Sequence, residues 1–423
     1  MKALIVTAVQ AVGLGFVALV GAPNLAKFAS LGTVKMEMVF DPVTMRNVAN
    51  NYDNSFAILL FSVISIVIIL TLLAGSAGVV VSNYRLELTR QAGKKVNTFG
   101  QDLRSYFNEK FYITLLTLPV LGVVVFTVVP LFILIAVAFT NYDQQHMPPA
   151  NLFTWVGLTN FASLLGGGGL TTTFSYAFGK ILIWTLVWAF FASLTTFFGG
   201  VLLAMFINNK NTKLPKMWRT LFMITAAVPQ FVTLLLIRDF FADSGIFNTI
   251  MSNLGIPQMF GMTYLPLLSN WRWAMVTIII INIWIGVPYQ MLIATGVLMN
   301  IPNDMIEAAS IDGASPIQLF FKIKMPYLLS VQGPSLVTGF VHNVNNFNVI
   351  YLLTNDTYKT TDMAMANSSA REVDLLVTWL FRLTQGEYNY KMAAVIGIMV
   401  FIVCAVFTMV CFSYINRKEA TFS

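Results

Sequence analysis

Charged residues are scarce in this chain. Only 10% of its 423 residues are Asp, Glu, Lys or Arg, whereas 57% are hydrophobic. A typical soluble domain carries about 25% charged residues. A chain of this length with so few charges cannot cover the surface of a water-soluble fold. The composition therefore predicts that lipid surrounds much of the molecule.

Cysteine and histidine are also rare, with two residues of each. Cys404 and Cys411 lie seven apart in the last apolar run, which excludes a disulfide framework or a cysteine metal site. His146 lies in a loop, so an intramembrane enzyme would have few titratable groups to use. The sequence contains no GxxxxGK[ST] phosphate-binding loop. We therefore expect no bound cofactor and no ATP hydrolysis by this chain.

Long apolar runs dominate the sequence. A helix needs about 20 apolar residues to cross the hydrocarbon core of a bilayer. Eight runs reach this length, namely 3–21, 56–81, 112–140, 181–207, 219–237, 273–299, 328–352 and 392–415. Within them, Arg219 at the edge of the fifth run is the single Asp, Glu, Lys or Arg. The sequence therefore predicts an all-α polytopic membrane protein with about eight transmembrane helices.

The first run has two interpretations. Lys2, the apolar stretch and Val20-Gly21-Ala22 are typical of a signal peptide with its cleavage site. The run is longer than the roughly 7–15 apolar residues of such a peptide, which favours a retained helix.

The net charge of +7 does not indicate a nucleic-acid-binding surface, because the basic residues lie in short loops between apolar runs. Lys and Arg instead predict the orientation in the membrane. With the N-terminus inside, the two strongest basic clusters, 85–110 and 210–219, both fall in cytoplasmic loops. Eight spans then place the C-terminus in the cytoplasm as well.

The loop between the sixth and seventh runs carries the clearest local signals. Pro302 or Asn303 starts a short helix, and Gly313 can end it in the left-handed conformation. On these signals alone, an amphipathic loop on the inner leaflet explains the segment as well as a docking element does.

A second short helix is predicted directly after this corner. Ser315 is placed to cap it, with Pro316 at its first position and Gln318 completing a capping box. We expect Pro326 to stop this helix before the next span.

The spacing of this loop resembles the EAA signature of ABC importer permeases. Glu307-Ala308-Ala309 is followed after three residues by Gly313, and after nine more by Ile323-Lys324-Met325-Pro326, with methionine where leucine is usual. In that family the loop docks into a cleft of the ATPase subunit. The resemblance implies that loop 303–326 contacts such a subunit through Glu307, Ala308, Ala309, Asp312, Gly313 and Phe320.

Other segments resemble carbohydrate permeases, in particular the larger permease subunit of maltose and maltodextrin importers. These segments are Trp155–Phe161, Asn282–Tyr289, Asn343–Phe347 with Tyr351–Asn355, and Asp374–Val377 with Arg382. The resemblance covers residues 152–416. The segment 141–173 is too short for the large extracytoplasmic domain that some maltose permeases carry.

Polar side chains cluster within three of the predicted spans, where they are costly and therefore informative. In the seventh, Ser335, Gly339, His342, Asn343 and Asn346 share one arc. Amides and hydroxyls suit a neutral polyol, and aromatic faces suit sugar rings. Interhelical hydrogen bonding is the alternative role. The resemblance implies that Asn282, Gly286, Tyr289, Asn343 and Asn346 contact the sugar. The predicted site also includes Gln230 on the polar face of the fifth span, where such relatives use other polar residues, together with Trp284 and Ile285.

The sequence thus predicts the permease subunit of an ABC importer for an oligosaccharide of the maltose or maltodextrin type, in a bacterial-type plasma membrane. The resemblance implies a second permease, an ATPase dimer that binds ATP-Mg, and an extracellular sugar-binding protein as partners. An ion-coupled secondary sugar transporter is the alternative, although spans without Asp or Glu argue against proton coupling.

The predicted domain organisation has three parts. Residues 1–111 form an N-terminal region with two transmembrane helices and a basic cytoplasmic loop. Residues 112–416 form a six-helix permease core, with the type I transmembrane domain at about 178–415. Residues 417–423 form a cytoplasmic tail.

Overall fold

A computed structural model describes most of the chain. The described residues are 2–32, 37–50, 54–93, 98–148, 151–166, 172–209 and 211–422. The chain divides into two compact units: residues 1–161 with 387–395, and residues 162–386 with 396–423.

The first unit is mainly helical. Its helices are α1 Lys2–Phe16, α2 Ala22–Phe28, α3 Ser55–Gln91, α4 Phe99–Ser105, α5 Phe111–Val123, α6 Val129–Ala138 and the start of α7 Thr159–Leu165. Two antiparallel strands, β1 Glu37–Asp41 and β2 Arg46–Asn50, pair with Val39 opposite Val48. This hairpin is an addition to the predicted all-helical chain. A core of Leu31, Ile58, Leu59, Val63 and Phe153 holds the unit together.

The second unit contains the longest apolar helices. Its helices are α8 Thr172–Ile207, α9 Pro215–Ala227, α10 Gln230–Phe241, α11 Ile246–Asn253, α12 Ile256–Met259, α13 Trp271–Met299, α14 Asn303–Ile311, α15 Pro316–Leu319, α16 Met325–Val344, α17 Phe347–Thr354, α18 Met363–Ala366 and α19 Leu376–Gln385, followed by most of α20 Tyr390–Phe422.

The core of the second unit lies where α8, α13 and α16 meet. Phe197, Val201, Met291, Met325 and Leu328 are among its buried residues. These side chains come from helices that are far apart in sequence, so their burial fixes the position of the loop between α13 and α16 against α8.

Six described helices are long and apolar enough to cross a membrane, or seven if the bent pair Pro215–Thr225 and Gln230–Asn253 counts as one span. The predicted fold class is confirmed, but the number is lower than eight. The run 328–352 is not one apolar helix, because α16 ends at Val344 and α17 begins at Phe347. The run 219–237 is broken at Val228-Pro229, with an 82° bend.

Candidate functional site

Helix α8 is the element against which the candidate sugar-binding residues are placed. It packs closely on α13, because small residues stand at the contact. A Cβ atom on Gly286 would lie 2.7 Å from Cγ2 of Thr196, and one on Gly200 would lie 2.6 Å from Cβ of Gln290. Glycine at these positions therefore lets the two helix backbones approach each other.

Asn343 joins α16 to α8. Its side-chain amide donates a hydrogen bond to the Ser193 hydroxyl at 3.0 Å, and the indole N–H of Trp188 donates to its backbone carbonyl at 3.0 Å. Asn343 and Ser193 are both buried. The amide thus has a fixed orientation in an apolar bundle.

Asn346 continues this chain of hydrogen bonds. It caps α17 by accepting from the backbone N–H of Val349 at 3.3 Å, and its amide donates to Oδ1 of Asn343 at 3.4 Å. A backbone N–H can only donate, so the Asn346 side-chain atom that bonds Val349 is the oxygen and the other is the nitrogen. The Asn346 nitrogen then donates to the Asn343 oxygen, which leaves the Asn343 nitrogen to donate to Ser193. The two asparagines are therefore joined across the break between α16 and α17, and their contact with a sugar stays a prediction.

The predicted residues on α13 fall into two groups. Asn282 is buried and Gly286 faces Thr196, whereas Trp284 and Tyr289 are exposed, Tyr289 by 59%. Ile285 is half-buried. Thr196 lies one helical turn from Ser193, so Gly286 and Asn343 meet α8 on adjacent turns.

Gln230 lies apart from this group. It is exposed at the first turn of α10, directly after the break at Pro229. No hydrogen bond joins its side chain to the asparagines in the part of the chain that the structure describes.

Sequence reasoning missed three residues of α8 at this site, Trp188, Ser193 and Thr196. Single hydroxyls in an apolar run carry no pattern of their own. The spacing of Ser193 and Thr196, three residues apart on one helical face, was the available signal.

A second polar contact joins α13 and α16. The Gln290 amide donates to Oε1 of Gln332 at 3.2 Å. The Nε2 atom of Gln332 is buried without a hydrogen-bond partner among the described residues. A buried amide left in this state is costly.

The loop after α13 folds largely as predicted. α14 begins at Asn303, directly after Pro302, and Gly313 has φ +79°. The Ala314 N–H bonds the Ala309 carbonyl at 3.0 Å, and the Gly313 N–H bonds the Ser310 carbonyl at 3.1 Å. This is a Schellman motif, which turns the chain sharply and satisfies the last carbonyls of the helix.

The second helix of the loop carries the predicted capping box. The Ser315 N–H donates to Oε1 of Gln318 at 2.8 Å, and the Gln318 N–H donates to the Ser315 hydroxyl at 3.3 Å. The expectation that Pro326 stops this helix is wrong. A π-helical turn at Phe320–Lys324 leads straight into α16, in which Pro326 is the second residue, so the helix continues through the proline.

Most of the predicted coupling residues are accessible. Glu307, Ala308, Asp312 and Gly313 are exposed, whereas Ala309 is half-buried. Phe320 is partly buried and packs on the α8–α13–α16 core, which anchors the loop. Exposed apolar side chains flank these positions, namely Met305, Ile311, Ile317 and Phe321.

The segment between α17 and α19 is built around carboxylates. Glu372 accepts hydrogen bonds from Tyr358 at 2.7 Å and from the backbone N–H groups of Thr361 and Asp362. The hydrogen bond from Lys180 lowers the pKa of Asp362 to about 2. These carboxylates therefore serve the fold of the segment.

Two of the resembling segments also have structural roles. The buried carboxylate of Asp374 accepts from Arg382 at 2.9 Å. The Asn160 amide donates to the carbonyls of Ala138 and Thr140, which lie at the end of α6. The guanidinium of Arg382 thus pairs with a buried carboxylate, and the amide of Asn160 satisfies buried carbonyls at the end of a helix.

Comparison with known proteins identifies the family. Residues 196–420, more than half of the chain, match the family "binding-protein-dependent transport system inner membrane component". The chain belongs to this family. The resemblance of its EAA loop to ABC importer permeases is therefore confirmed, and the chain is a multi-pass inner-membrane component.

Several curated members of this permease family are similar over most of the chain. The galactooligosaccharides transport system permease protein GanP of Bacillus subtilis is 36% identical over 66% of the chain and 64% of its own length. The maltodextrin permease MalC of Streptococcus pneumoniae is 33% identical over 72% of the chain and 69% of its own length. The maltose/maltodextrin permease MalF of Salmonella typhimurium is also similar, and this chain aligns with 51% of the length of that protein.

Solved structures of a bacterial ABC transporter share the fold. A bacterial ABC transporter involved in the import of the acidic polysaccharide alginate matches with a TM-score of 0.57 and 19% identity, over 74% of this chain and 98% of that one.

Proposed function

We propose that the chain is the transmembrane permease subunit of an ABC importer that translocates an oligosaccharide. The proposal depends on a continuous helix that connects the coupling loop, residues 303–326, with the polar cluster at Asn343 and Asn346. The segment from Pro316 to Val344 runs through α15, the π-helical turn and α16. It extends roughly 40 Å at 1.5 Å per residue. The helix that bears Asn343 therefore has the exposed loop as its other end.

The polar cluster supplies the chemistry for a neutral sugar. Asn282, Asn343 and Asn346 offer amide groups, while Trp284 and Tyr289 are exposed aromatic side chains on α13. Amides donate and accept hydrogen bonds, and aromatic faces stack on sugar rings. Ile285, Gly286 and Gln230 complete the proposed path.

A maltose or maltodextrin type of substrate is our first candidate, because MalC and MalF are maltodextrin permeases. The similarity to GanP makes galactooligosaccharides the second candidate. An ion-coupled secondary transporter remains the alternative mechanism. The family name, which specifies a binding protein, favours the importer.

The proposed assembly places ATP hydrolysis in partner subunits. Loop 303–326 docks on one subunit of an ATPase dimer that binds ATP-Mg, and a second permease completes the path for sugar from an extracellular binding protein. Both termini are cytoplasmic. Residues 1–111, 112–416 and 417–423 are the proposed N-terminal region, core and tail, with the type I domain at about 178–415.

The test is reconstitution of the complex in proteoliposomes with its ATPase and binding protein. Maltodextrins, galactooligosaccharides and monosaccharides are compared for uptake and for stimulation of ATP hydrolysis. We expect uptake of one oligosaccharide class to require ATP. Uptake that follows an ion gradient without ATP would instead identify a secondary transporter.

A further inference from the structure

The connection between α8 and α9 carries positive charge without acidic neighbours. Lys213 and Lys216 are exposed, and neither forms an ion pair with any residue that the structure describes. No Asp or Glu occurs between Asp143 and Asp239. The charge on this surface is therefore not compensated from within its own segment.

Apolar side chains stand beside these lysines. Leu214, Met217 and Trp218 are exposed, Trp218 by 42%. Arg219 instead turns towards the protein and donates a hydrogen bond to the Asn208 side chain, and Phe222 packs on the core. The start of α9 thus has one side fixed to the bundle and one side that is apolar, aromatic and basic.

Leu214 combines a left-handed backbone with high exposure. Leu214 has φ 56° and ψ 52°, a left-handed conformation that leucine rarely adopts. Its side chain is 65% exposed. Burial of this side chain therefore has to come from surroundings outside the chain.

This surface lies at the end of the second unit that bears the coupling loop. Asn208 donates to the Thr295 hydroxyl at 3.0 Å, close to the end of α13. Ile207 shares the buried core with Val297 and Met325, which flank the loop. The inference rests on the proposed function in one respect, because that proposal places this end in the cytoplasm.

We propose that Lys213, Lys216 and Trp218 form a binding site for the headgroups of anionic phospholipids. Tryptophan prefers the boundary between headgroups and acyl chains, where Leu214 and Met217 also find apolar surroundings. Lysine side chains extend from that boundary to the phosphates. The cytoplasmic leaflet carries negative surface charge, so the charges of site and ligand are complementary.

The experiment measures lipid preference at Trp218. The full-length chain is reconstituted with its partner subunits in nanodiscs of phosphatidylcholine and phosphatidylglycerol in equal amounts. Either lipid is brominated in turn to quench tryptophan fluorescence. The contribution of Trp218 is the difference between the wild type and Trp218→Phe. We expect brominated phosphatidylglycerol to quench Trp218 more strongly, and rising salt to weaken this preference.

The decisive variant is Lys213→Gln with Lys216→Gln. We expect the preference for phosphatidylglycerol to fall about fivefold for each lysine removed, while Lys213→Arg with Lys216→Arg retains it. The matched control, Arg46→Gln with Lys359→Gln, loses the same charge at two exposed positions outside the proposed site and the coupling loop, and should behave as the wild type.

Three results would overturn the site. The first is an unchanged preference in the glutamine variant, and the second is an equal loss in the control. The third is a glutamine variant that no longer assembles with one of the partner subunits while the quenching of Trp218 is unaltered. That result would show that the surface binds the partner subunit. If the glutamine variant does not fold, a salt-independent preference in the wild type refutes the proposal. The lipid measurement needs no transport, so failed sugar uptake with intact lipid preference would count against the proposed function alone.

Discussion

The amide of Asn343 donates a hydrogen bond to the hydroxyl of Ser193, a residue 150 positions earlier in the chain, and both side chains are buried. The orientation of the Asn343 side chain therefore depends on a hydroxyl group on another helix.

Replacing Ser193 with alanine should weaken sugar recognition. The substitution leaves a buried donor unpaired at about 1–3 kcal/mol, and the amide of Asn343 loses its fixed orientation. We expect KM for uptake to rise at least fivefold in Ser193→Ala, with normal subunit assembly, and Ser193→Thr to recover much of the loss. Thr195→Ala is the matched control, because the Thr195 hydroxyl bonds the carbonyl of Phe191 within α8 and no other described residue. Equal effects of the two alanine substitutions would show that Ser193 has no special role.

Two substitutions of Asn346 should separate its capping role from its place in the sugar path. Serine is a good helix cap, so Asn346→Ser should keep α17 but lose the bond to Asn343. Asn346→Leu loses both and should destabilise the chain by about 1 kcal/mol more. We expect both variants to lose uptake, and Asn346→Leu to lower the melting temperature further than Asn346→Ser does. Normal uptake in Asn346→Ser would remove this amide from the path.

The coupling role of Gly313 is testable because its surroundings within the chain are open. A Cβ atom there meets no described atom within 4 Å, so only the left-handed backbone penalises a side chain, by roughly 1 kcal/mol. Gly255 has φ +72° and equally open surroundings. We expect Gly313→Asp to abolish uptake and to impair ATPase co-purification or sugar-stimulated hydrolysis, whereas Gly255→Asp should not. Full stimulation in Gly313→Asp would contradict the coupling role.

The proposed orientation predicts the location of two loops. Reporter fusions at Lys213 should be cytoplasmic, because basic loops stay inside, and fusions at Thr361 should be external. Alkaline phosphatase and green fluorescent protein fusions measure this directly. An external Lys213 would reverse the orientation and would also place the lysine–tryptophan surface at the other leaflet.

Local chemistry explains what the sequence predicted well. The capping box of Ser315 and Gln318 and the left-handed Gly313 each depend on residues within a few positions, so their signals survive in the sequence. The failure at Pro326 has a tertiary cause. Phe320 packs on the core of the bundle, and the helix reaches that contact by a π-helical turn that no local pattern indicates.

The span count and the partners of Asn343 were harder to predict. The run 328–352 is apolar on average, yet it contains the helix break between Val344 and Phe347. The stripe of asparagines was visible as a pattern on one predicted helix, although Asn346 lies in the break and caps α17. The indole of Trp188 and the hydroxyl of Ser193 meet it only through folding, and a single sequence carries no record of that contact.

The π-helical turn at Phe320–Lys324 also determines how the side chains of the loop are rotated about the helix axis relative to those of α16. A π-helical turn accommodates one residue more than an α-helical turn, so the side chains before it are rotated by about 100° relative to an unbroken helix that continues into α16. Conversion of this turn to α-helix, with all of its residues kept, would leave the helix continuous and Asn343 in place. The face carrying Ile317 would then point in another direction around the same axis, and the loop would present a different surface to whatever docks against it.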